Sequence, residues 1–133
     1  MLPPHNAKVM VVDDQQTTRE ISAVMLGANG YRVSTFDNCV DALQCLVQDP
    51  HDAVLINLHM SGMQKHEFLR AVLDLPLDTP PARLGIADRM TCGAVSLHPE
   101  LGLRQVIWKP FKGSELRRAV KDALLARGVL PET

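Results

Sequence analysis

The sequence predicts an α/β domain built on a doubly wound, five-stranded parallel sheet. Short apolar runs alternate with longer segments in which apolar residues recur every three or four positions. This alternation is typical of buried parallel strands joined by amphipathic helices. Polar residues directly follow several of the apolar runs, as expected where parallel strands end at a ligand-binding edge. At 133 residues the chain is large enough for one domain with one core.

Two strand–helix units open the chain. Val9–Val12 is the first predicted strand, and the helix after it is predicted over Gln15–Ala28. Asp14 is its predicted N-cap, and Asn29–Gly30 is its predicted stop. Tyr31–Phe36 is the second strand. The apolar positions that define the first helix are Ile21, Val24, Met25 and Ala28.

The middle of the chain repeats the pattern. Asp37–Asn38 opens a second helix, which ends before Asp49–Pro50. Ala53–Ile56 is the third strand, and a third helix around Phe68–Leu73 is ended by Pro76. The apolar positions of the second helix are Val40, Leu43, Leu46 and Val47.

The last third is less regular. Ala82–Ala87 is predicted as the fourth strand, although its arginine and glycine make it a weak one. A short helix is predicted over Gly93–Leu97, and Gln105–Trp108 is the fifth strand. Glu115–Ala126 is an amphipathic helix with Gly128 as its stop.

Composition excludes several classes of function. With a net charge of -1, the chain has no electrostatic reason to bind nucleic acid or an anionic membrane. No apolar run approaches the roughly 20 residues of a membrane span, and the start does not resemble a signal peptide. We therefore expect a cytoplasmic protein without a membrane or nucleic-acid partner.

The cysteines and histidines give no metal or disulfide motif. Cys39, Cys45 and Cys92 are odd in number and lack a CxxC spacing, so reduced thiols are expected. The five histidines are scattered, which argues against a structural zinc site.

Four polar residues follow strands and define a candidate site. The pair Asp13–Asp14, Asn57 and Lys109 each follow or end a predicted strand. Two acids, a central strand-end residue and a lysine are the parts of a metal-assisted pocket that accepts a phosphoryl group. A carboxylate at the centre could attack phosphorus, but the neutral carboxamide of Asn57 cannot.

The motifs that carry this pattern resemble those of a response-regulator receiver domain, the phosphorylation switch of bacterial two-component systems. They are Val11–Asp14, Ala53–Met63 and Lys109–Phe111, in that order and at matching separations. The resemblance covers about residues 7–127 and implies one receiver-like domain over residues 1–133. It also implies a flavodoxin-like (βα)5 fold with strand order 2-1-3-4-5.

The resemblance implies a role for each pocket residue. Asp13 and Asp14 would hold Mg²⁺ together with position 57 and the backbone carbonyl of His59. Lys109 would neutralise an acceptor phosphate and precede a cis bond to Pro110. With an amide at position 57 we expect weak or no Mg²⁺ binding, and Lys109 could then pair with an aspartate.

The departures from the family pattern bear on function. Asn57 occupies the phosphoacceptor position, and Ser61 replaces the usual proline. Neither Ile86 nor Ala87 supplies the hydroxyl that the family uses at the end of the fourth strand, and Val106 occupies the aromatic switch position.

Three functions are weighed on this basis. The leading hypothesis is a non-enzymatic pseudo-receiver that acts through protein contacts. The second is a phosphorylation-dependent receiver in which Asn57 is an engineered block. The third, a flavodoxin-like cofactor binder, is disfavoured because Asp13–Gln16 would repel a flavin phosphate. The surface predicted to meet an output domain, a kinase, another regulator or a second copy includes Ala94, Val95, Arg117, Arg118 and Lys121.

Overall fold

A computed structural model of the protein describes residues 7–60, 65–76, 80–88, 102–126 and 128. The predicted short helix Gly93–Leu97 lies outside the described residues. The described elements, in chain order, are β1 Lys8–Val12, α1 Gln16–Ala28, β2 Arg32–Phe36, α2 Cys39–Gln48, β3 Ala53–Asn57, α3 Lys65–Leu73, β4 Ala82–Asp88, β5 Leu103–Lys109 and α4 Gly113–Ala126.

The five strands form one parallel sheet in the order β2-β1-β3-β4-β5, as the sequence predicted. Val12 pairs with Ile56, Asn57 pairs with Ile86, and Asp88 pairs with Lys109. The carboxyl ends of β1, β3, β4 and β5 therefore meet at one edge. In an open α/β sheet this is the edge where ligands bind.

The core lies on both faces of the sheet. Val9 and Val11 belong to one buried cluster, while Met10 and Val12 belong to the other, because successive strand residues point to opposite faces. Residues of α1 and α4 complete the first cluster, and residues of α2 and α3 complete the second. The sheet is thus covered on both sides, which explains its continuous apolar strands.

The apolar stripe predicted for α1 does not coincide with its buried face. The helix exists, but its buried residues are Ser22 and Leu26, whereas Val24 is 71% and Ile21 is 45% exposed. Similarly, α2 buries Cys39, Ala42 and Leu46 and leaves Val40 and Val47 exposed. In both helices the buried residues lie three or four positions apart, so each helix buries only a narrow stripe. In α4 the apolar face predicted for the helix is buried: Leu116, Ala119, Val120, Ala123 and Leu124.

The predicted helix caps are partly confirmed. Asn38 caps α2, since its side chain accepts a hydrogen bond from the Asp41 backbone N–H. Gly30 follows α1 with φ 95°, a conformation that favours glycine. Asp14 was the wrong N-cap for α1. The N-cap is Gln15, and its backbone N–H donates to the carboxylate of Asp13 at 2.9 Å.

Gly85 has a packing reason to interrupt the apolar run of β4. A Cβ atom at this position would lie 2.8 Å from Cδ1 of Leu58. Leu58 is buried and directly follows Asn57, and its backbone N–H donates to the carbonyl of Ile86. The glycine that made β4 look weak in the sequence therefore gives room to the loop that leaves β3.

Candidate functional site

The carboxyl edge of the sheet brings the predicted pocket residues together. Asp13 follows β1 and is fully buried, and Asn57 ends β3 with only 3% of its surface exposed. Asp14 is exposed beside them, and Lys109 ends β5. The prediction that these residues share one edge is confirmed.

Asn57 is held by hydrogen bonds through both ends of its amide. Its Oδ1 accepts from the backbone N–H of His59 at 2.9 Å. Its Nδ2 donates to Oδ1 of Asp13 at 3.0 Å and to Oδ1 of Asp14 at 3.5 Å. The N–H of His59 requires an acceptor and the carboxylates require donors, so the amide has one chemically consistent orientation.

Asp13 organises the start of α1 as well as the pocket. Its Oδ1 accepts from the backbone N–H of Gln15 in addition to the amide of Asn57. Its backbone carbonyl accepts from Nη1 of Arg19 at 2.8 Å. Its second carboxylate oxygen, Oδ2, is buried and has no partner among the described residues. One oxygen therefore retains an unused acceptor capacity.

His59 connects the β3 loop to β4 through its side chain, a contact that the sequence gave no signal for. Its Nε2 accepts from the backbone N–H of Asp88 at 3.2 Å. The backbone N–H of the same residue holds Asn57. His59 thus links the central amide to the end of the neighbouring strand.

Lys109 points toward α1. Its Nζ donates to Oε1 of Gln15 at 3.3 Å and to Oγ1 of Thr18 at 3.5 Å. Within the described part of the chain it forms no ion pair with Asp13 or Asp14, so the expected pairing with an aspartate was wrong. Both partners are neutral; Gln15 is the N-cap of α1, and Thr18 lies in its first turn. The bond from Lys109 to Pro110 is cis, as the resemblance implied.

The acidic pair fits a hard divalent cation only in part. The unpartnered Oδ2 of Asp13 and the exposed carboxylate of Asp14 are suitable oxygen ligands. However, the amide N–H groups of Asn57 already contact one oxygen of each acid. The donor set thus carries one negative charge fewer than three carboxylates would, and the amide satisfies part of the demand for positive charge.

The ends of β4 and β5 lack the two remaining features of the family pattern. The residues of β4 nearest the edge are Ile86, Ala87 and Asp88, none of which carries a hydroxyl. Val106 is partly buried and packs against the core, as Trp108 does. The predicted surface near Ala94 and Val95 lies outside the described residues, while Arg118 and Lys121 on α4 are exposed.

A cleft of about 550 Å³ lies between α1 and the loop after β5. Ile21 and Met25 line it on the helix side, and Pro110 and Phe111 line it on the loop side. Together with the exposed Val24, these residues form an apolar surface next to Lys109. The sequence did not reveal this surface, because its pattern of apolar positions did not show which side of α1 the sheet covers.

The parallel sheet with strand order 2-1-3-4-5 and the polar residues at its carboxyl edge define a receiver-type domain. The family model of the response regulator receiver domain matches residues 9–121. The chain belongs to that family.

Similar proteins support the same assignment. A transcriptional regulatory protein of Haemophilus influenzae, a CpxR homolog, is 30% identical over 128 residues, which cover 94% of this chain and 53% of the relative. The response regulator MprA of Mycobacterium ulcerans is 28% identical over 131 residues, covering 96% and 53%. The chain thus spans about half the length of these curated relatives. The solved structure of the chemotaxis response regulator CheY4 of Vibrio cholerae has a TM-score of 0.79 at 24% identity, covering 89% of this chain and 98% of that one.

No helix within the described ranges is both long enough and apolar enough to cross a membrane.

Proposed function

We propose that this receiver domain signals through protein–protein contacts without aspartyl phosphorylation and without enzymatic activity. The observation that carries the proposal is the hydrogen-bonded carboxamide of Asn57 at the centre of the pocket. A carboxamide oxygen is neutral and a poor nucleophile, so it cannot form an acyl phosphate.

The amide of Asn57 has all its hydrogen-bond partners in the pocket without a phosphoryl group. Asn57 donates to both acids and accepts from His59, so every polar atom of its amide is used. A carboxylate in its place would put a third anion against Asp13 and Asp14 and would need a cation to offset the repulsion. The amide supplies the positive ends of two N–H dipoles where such a cation would otherwise act.

If Mg²⁺ binds, Asp13 and Asp14 would hold it with help from the backbone carbonyl of His59, and it would neutralise the acidic pair. We expect millimolar or undetectable affinity, because the ligand set has lost one unit of negative charge. Titration calorimetry measures this directly. Tight, micromolar binding by the wild-type protein would contradict the proposal.

Incubation of the purified protein with acetyl phosphate, with Mg²⁺ present, tests the central claim. The wild-type chain should accumulate no hydroxylamine-sensitive phosphoryl adduct by intact-mass analysis. The matched control is Asn57→Asp, which restores a carboxylate at the same place. A stable acyl phosphate on the wild-type chain would overturn the proposal.

The alternative is a phosphorylation-dependent receiver in which Asn57 is a block at the acceptor position. It predicts that Asn57→Asp alone restores both labelling and a conformational change. We expect that the Asn57→Asp variant does not undergo the full conformational change, because the end of β4 offers no hydroxyl to bond the phosphate. Fluorescence of Trp108, the one tryptophan of the chain, reports on β5. A large phosphorylation-dependent signal in that variant would favour the alternative.

The partner is proposed to be a protein segment or a separate protein. About half of each curated relative lies beyond the region that matches this chain, and two of these relatives are regulators by name. Of the two described surfaces, the apolar face of α1 is better suited than the charged face of α4, because burial of Val24 and Ile21 would remove apolar surface from water.

Charge substitutions on α1 and on α4 test which of the two surfaces binds the partner. Val24→Glu should abolish capture of a partner from cell extract, while Arg118→Glu should leave it unchanged. Both side chains are exposed, so neither substitution should disturb the fold. The reverse result would place the contact on α4, the surface that the sequence predicted. A cytoplasmic location remains an expectation of the two-component class.

A further inference from the structure

A second group of potential ligands lies away from the acidic pocket. One ligand atom each of Cys45, Asp49 and His51 lie within 4.8 Å of one another. Cys45 and Asp49 are four residues apart on the last turn of α2 and its C-cap, so they share a face. His51 follows two residues later, just before β3 begins. The group is therefore near the amino-terminal edge of the sheet, opposite Asn57.

His51 is oriented as a metal ligand would be. The ring is buried, with 3% of the residue exposed. Its Nδ1 lies 2.7 Å from the backbone carbonyl of Asp49, an acceptor, so Nδ1 carries the proton. Nε2 therefore carries the lone pair, 3.0 Å from Oγ of Ser34. A backbone carbonyl that fixes the tautomer through the other ring nitrogen is the usual support for a metal-binding histidine.

We propose that Cys45, Asp49 and His51 form a binding site for a borderline transition-metal cation of the Zn²⁺ class. One sulfur, one imidazole nitrogen and one carboxylate oxygen suit such a cation better than Mg²⁺ or Ca²⁺. Three ligands leave the fourth tetrahedral position open, so the site differs from the closed four-ligand structural sites that the sequence argued against. The carbonyl end of α2 adds favourable negative potential.

Access and geometry allow binding after a small adjustment. Cys45 and Asp49 line an open cleft of about 430 Å³ together with Gln44 and Gln48. Ligand atoms around a tetrahedral Zn²⁺ are about 3.5 Å apart, so the three side chains must approach one another by roughly an ångström. Cys45 and Asp49 are partly exposed and can rotate to do so.

Three competitors limit the affinity. The lone pair of His51 Nε2 faces the hydroxyl of Ser34 at 3.0 Å, so a cation must take the place of that hydroxyl. The ammonium of Lys8 forms an ion pair with the carboxylate of Asp49. Burial raises the pKa of the Cys45 thiol, and Asp49 raises it further while Lys8 lowers it. A cation must therefore displace the ammonium and release the thiol proton. It follows that Lys8→Met, which removes the competing charge, should tighten binding several-fold.

Titration of the reduced protein with Co²⁺ tests the proposal, because Co²⁺ takes tetrahedral Zn²⁺ sites and reports its ligands spectroscopically. We expect a thiolate-to-cobalt charge-transfer band and tetrahedral d–d bands at submillimolar Co²⁺, both reversed by added Zn²⁺. Cys45→Ser should eliminate the charge-transfer band. Asp49→Asn and His51→Gln should each weaken binding about tenfold or more.

Cys39→Ser is the matched control, because it removes a described thiol that is not part of the group. Cys39 is buried, and burial raises its pKa to about 11, which disfavours the thiolate. This variant should keep the full spectrum. Circular dichroism checks that each variant is folded, and Asp49→Asn keeps the test valid if loss of the buried imidazole unfolds the chain. A charge-transfer band that survives Cys45→Ser, or no band in the wild-type protein at millimolar Co²⁺, would overturn the proposal.

Discussion

The two halves of the carboxyl edge differ in what they retain. At the ends of β1 and β3, Asp13, Asp14 and Asn57 form one connected hydrogen-bond network. At the ends of β4 and β5 the hydroxyl of the family pattern is missing, and Lys109 bonds to neutral groups of α1. Side-chain hydrogen bonds hold the first half together, and His59 joins it to the end of β4. Lys109 in the second half bonds instead to the side chains of Gln15 and Thr18.

This difference shows where the fold depends on the polar residues of the carboxyl edge. The acidic half anchors the start of α1 through Asp13 and the β3 loop through Asn57. Removing Asp13 or the amide of Asn57 should therefore cost folding free energy, whereas the exposed carboxylate of Asp14 should be replaceable at little cost. Within the described residues Lys109 holds no buried amide or backbone group in this way, so it should also be replaceable at little cost. Three pairs of substitutions, taken in order of the larger effect expected in each pair, test the contrast.

The largest effect is expected for Asn57→Asp. The new carboxylate loses both N–H donors and lies buried against Asp13, which should lower the free energy of unfolding by about 3 kcal/mol without divalent cations. Added Mg²⁺ should recover part of the loss. Urea denaturation with and without Mg²⁺ measures both quantities.

Asn38→Asp is the matched control for this substitution. The amide of Asn38 also donates to two aspartates and accepts from a backbone N–H, but at an exposed helix cap. Aspartate is an equally good N-cap, so the cost should stay below about 1 kcal/mol. Equal losses at the two positions would contradict the view that burial makes the pocket amide indispensable.

An intermediate effect is expected for Asp13→Ala, and a small one for Asp14→Ala. The first leaves the buried N–H of Asn57 and the N–H of Gln15 without an acceptor, at a cost of about 2 kcal/mol. The second removes an exposed carboxylate and should cost less than about 0.5 kcal/mol. Thermal unfolding compares the pair. If both substitutions raise stability, the acids repel each other and the network argument fails.

A small effect is also expected for Lys109→Met, within about 0.5 kcal/mol, because its hydrogen bonds are long and its partner Gln15 is exposed. Arg19→Met is a suitable comparison. Its guanidinium donates a short bond to the carbonyl of Asp13, so its loss should cost about 1 kcal/mol. A larger loss of unfolding free energy for Lys109→Met than for Arg19→Met would mean that the lysine stabilises the fold as much as the acidic half does.

The fold was predictable because its signals are local. Continuous apolar runs such as Ala53–Ile56 and the regular stripe of α4 specify parallel strands and a helix without knowledge of their partners. Receiver-like motifs at strand ends then placed Asp13, Asn57 and Lys109 at one edge. These features can be read from the sequence because they depend only on the spacing of apolar residues and on the order of the motifs along the chain.

The contacts within the site were less predictable because they depend on distances between segments far apart in the chain. The direction of the Lys109 side chain depends on how close Thr18 and Gln15 lie, 91 and 94 positions away. The exposed side of α1 depends on how much of the helix the sheet and α4 cover. Likewise, Cys45 and His51 gave no recognisable metal spacing, because a helix end and a loop bring them together.

The close packing of Leu58 on Gly85 ties the loop after Asn57 to the middle of β4. With no free space between the leucine methyl groups and the glycine backbone, neither segment can shift toward the other without displacing it. A force applied to β4 should consequently reach the central amide through steric contact alone. The contact thereby couples the middle of β4 to the segment that holds the central amide, independently of any chemistry at Asn57.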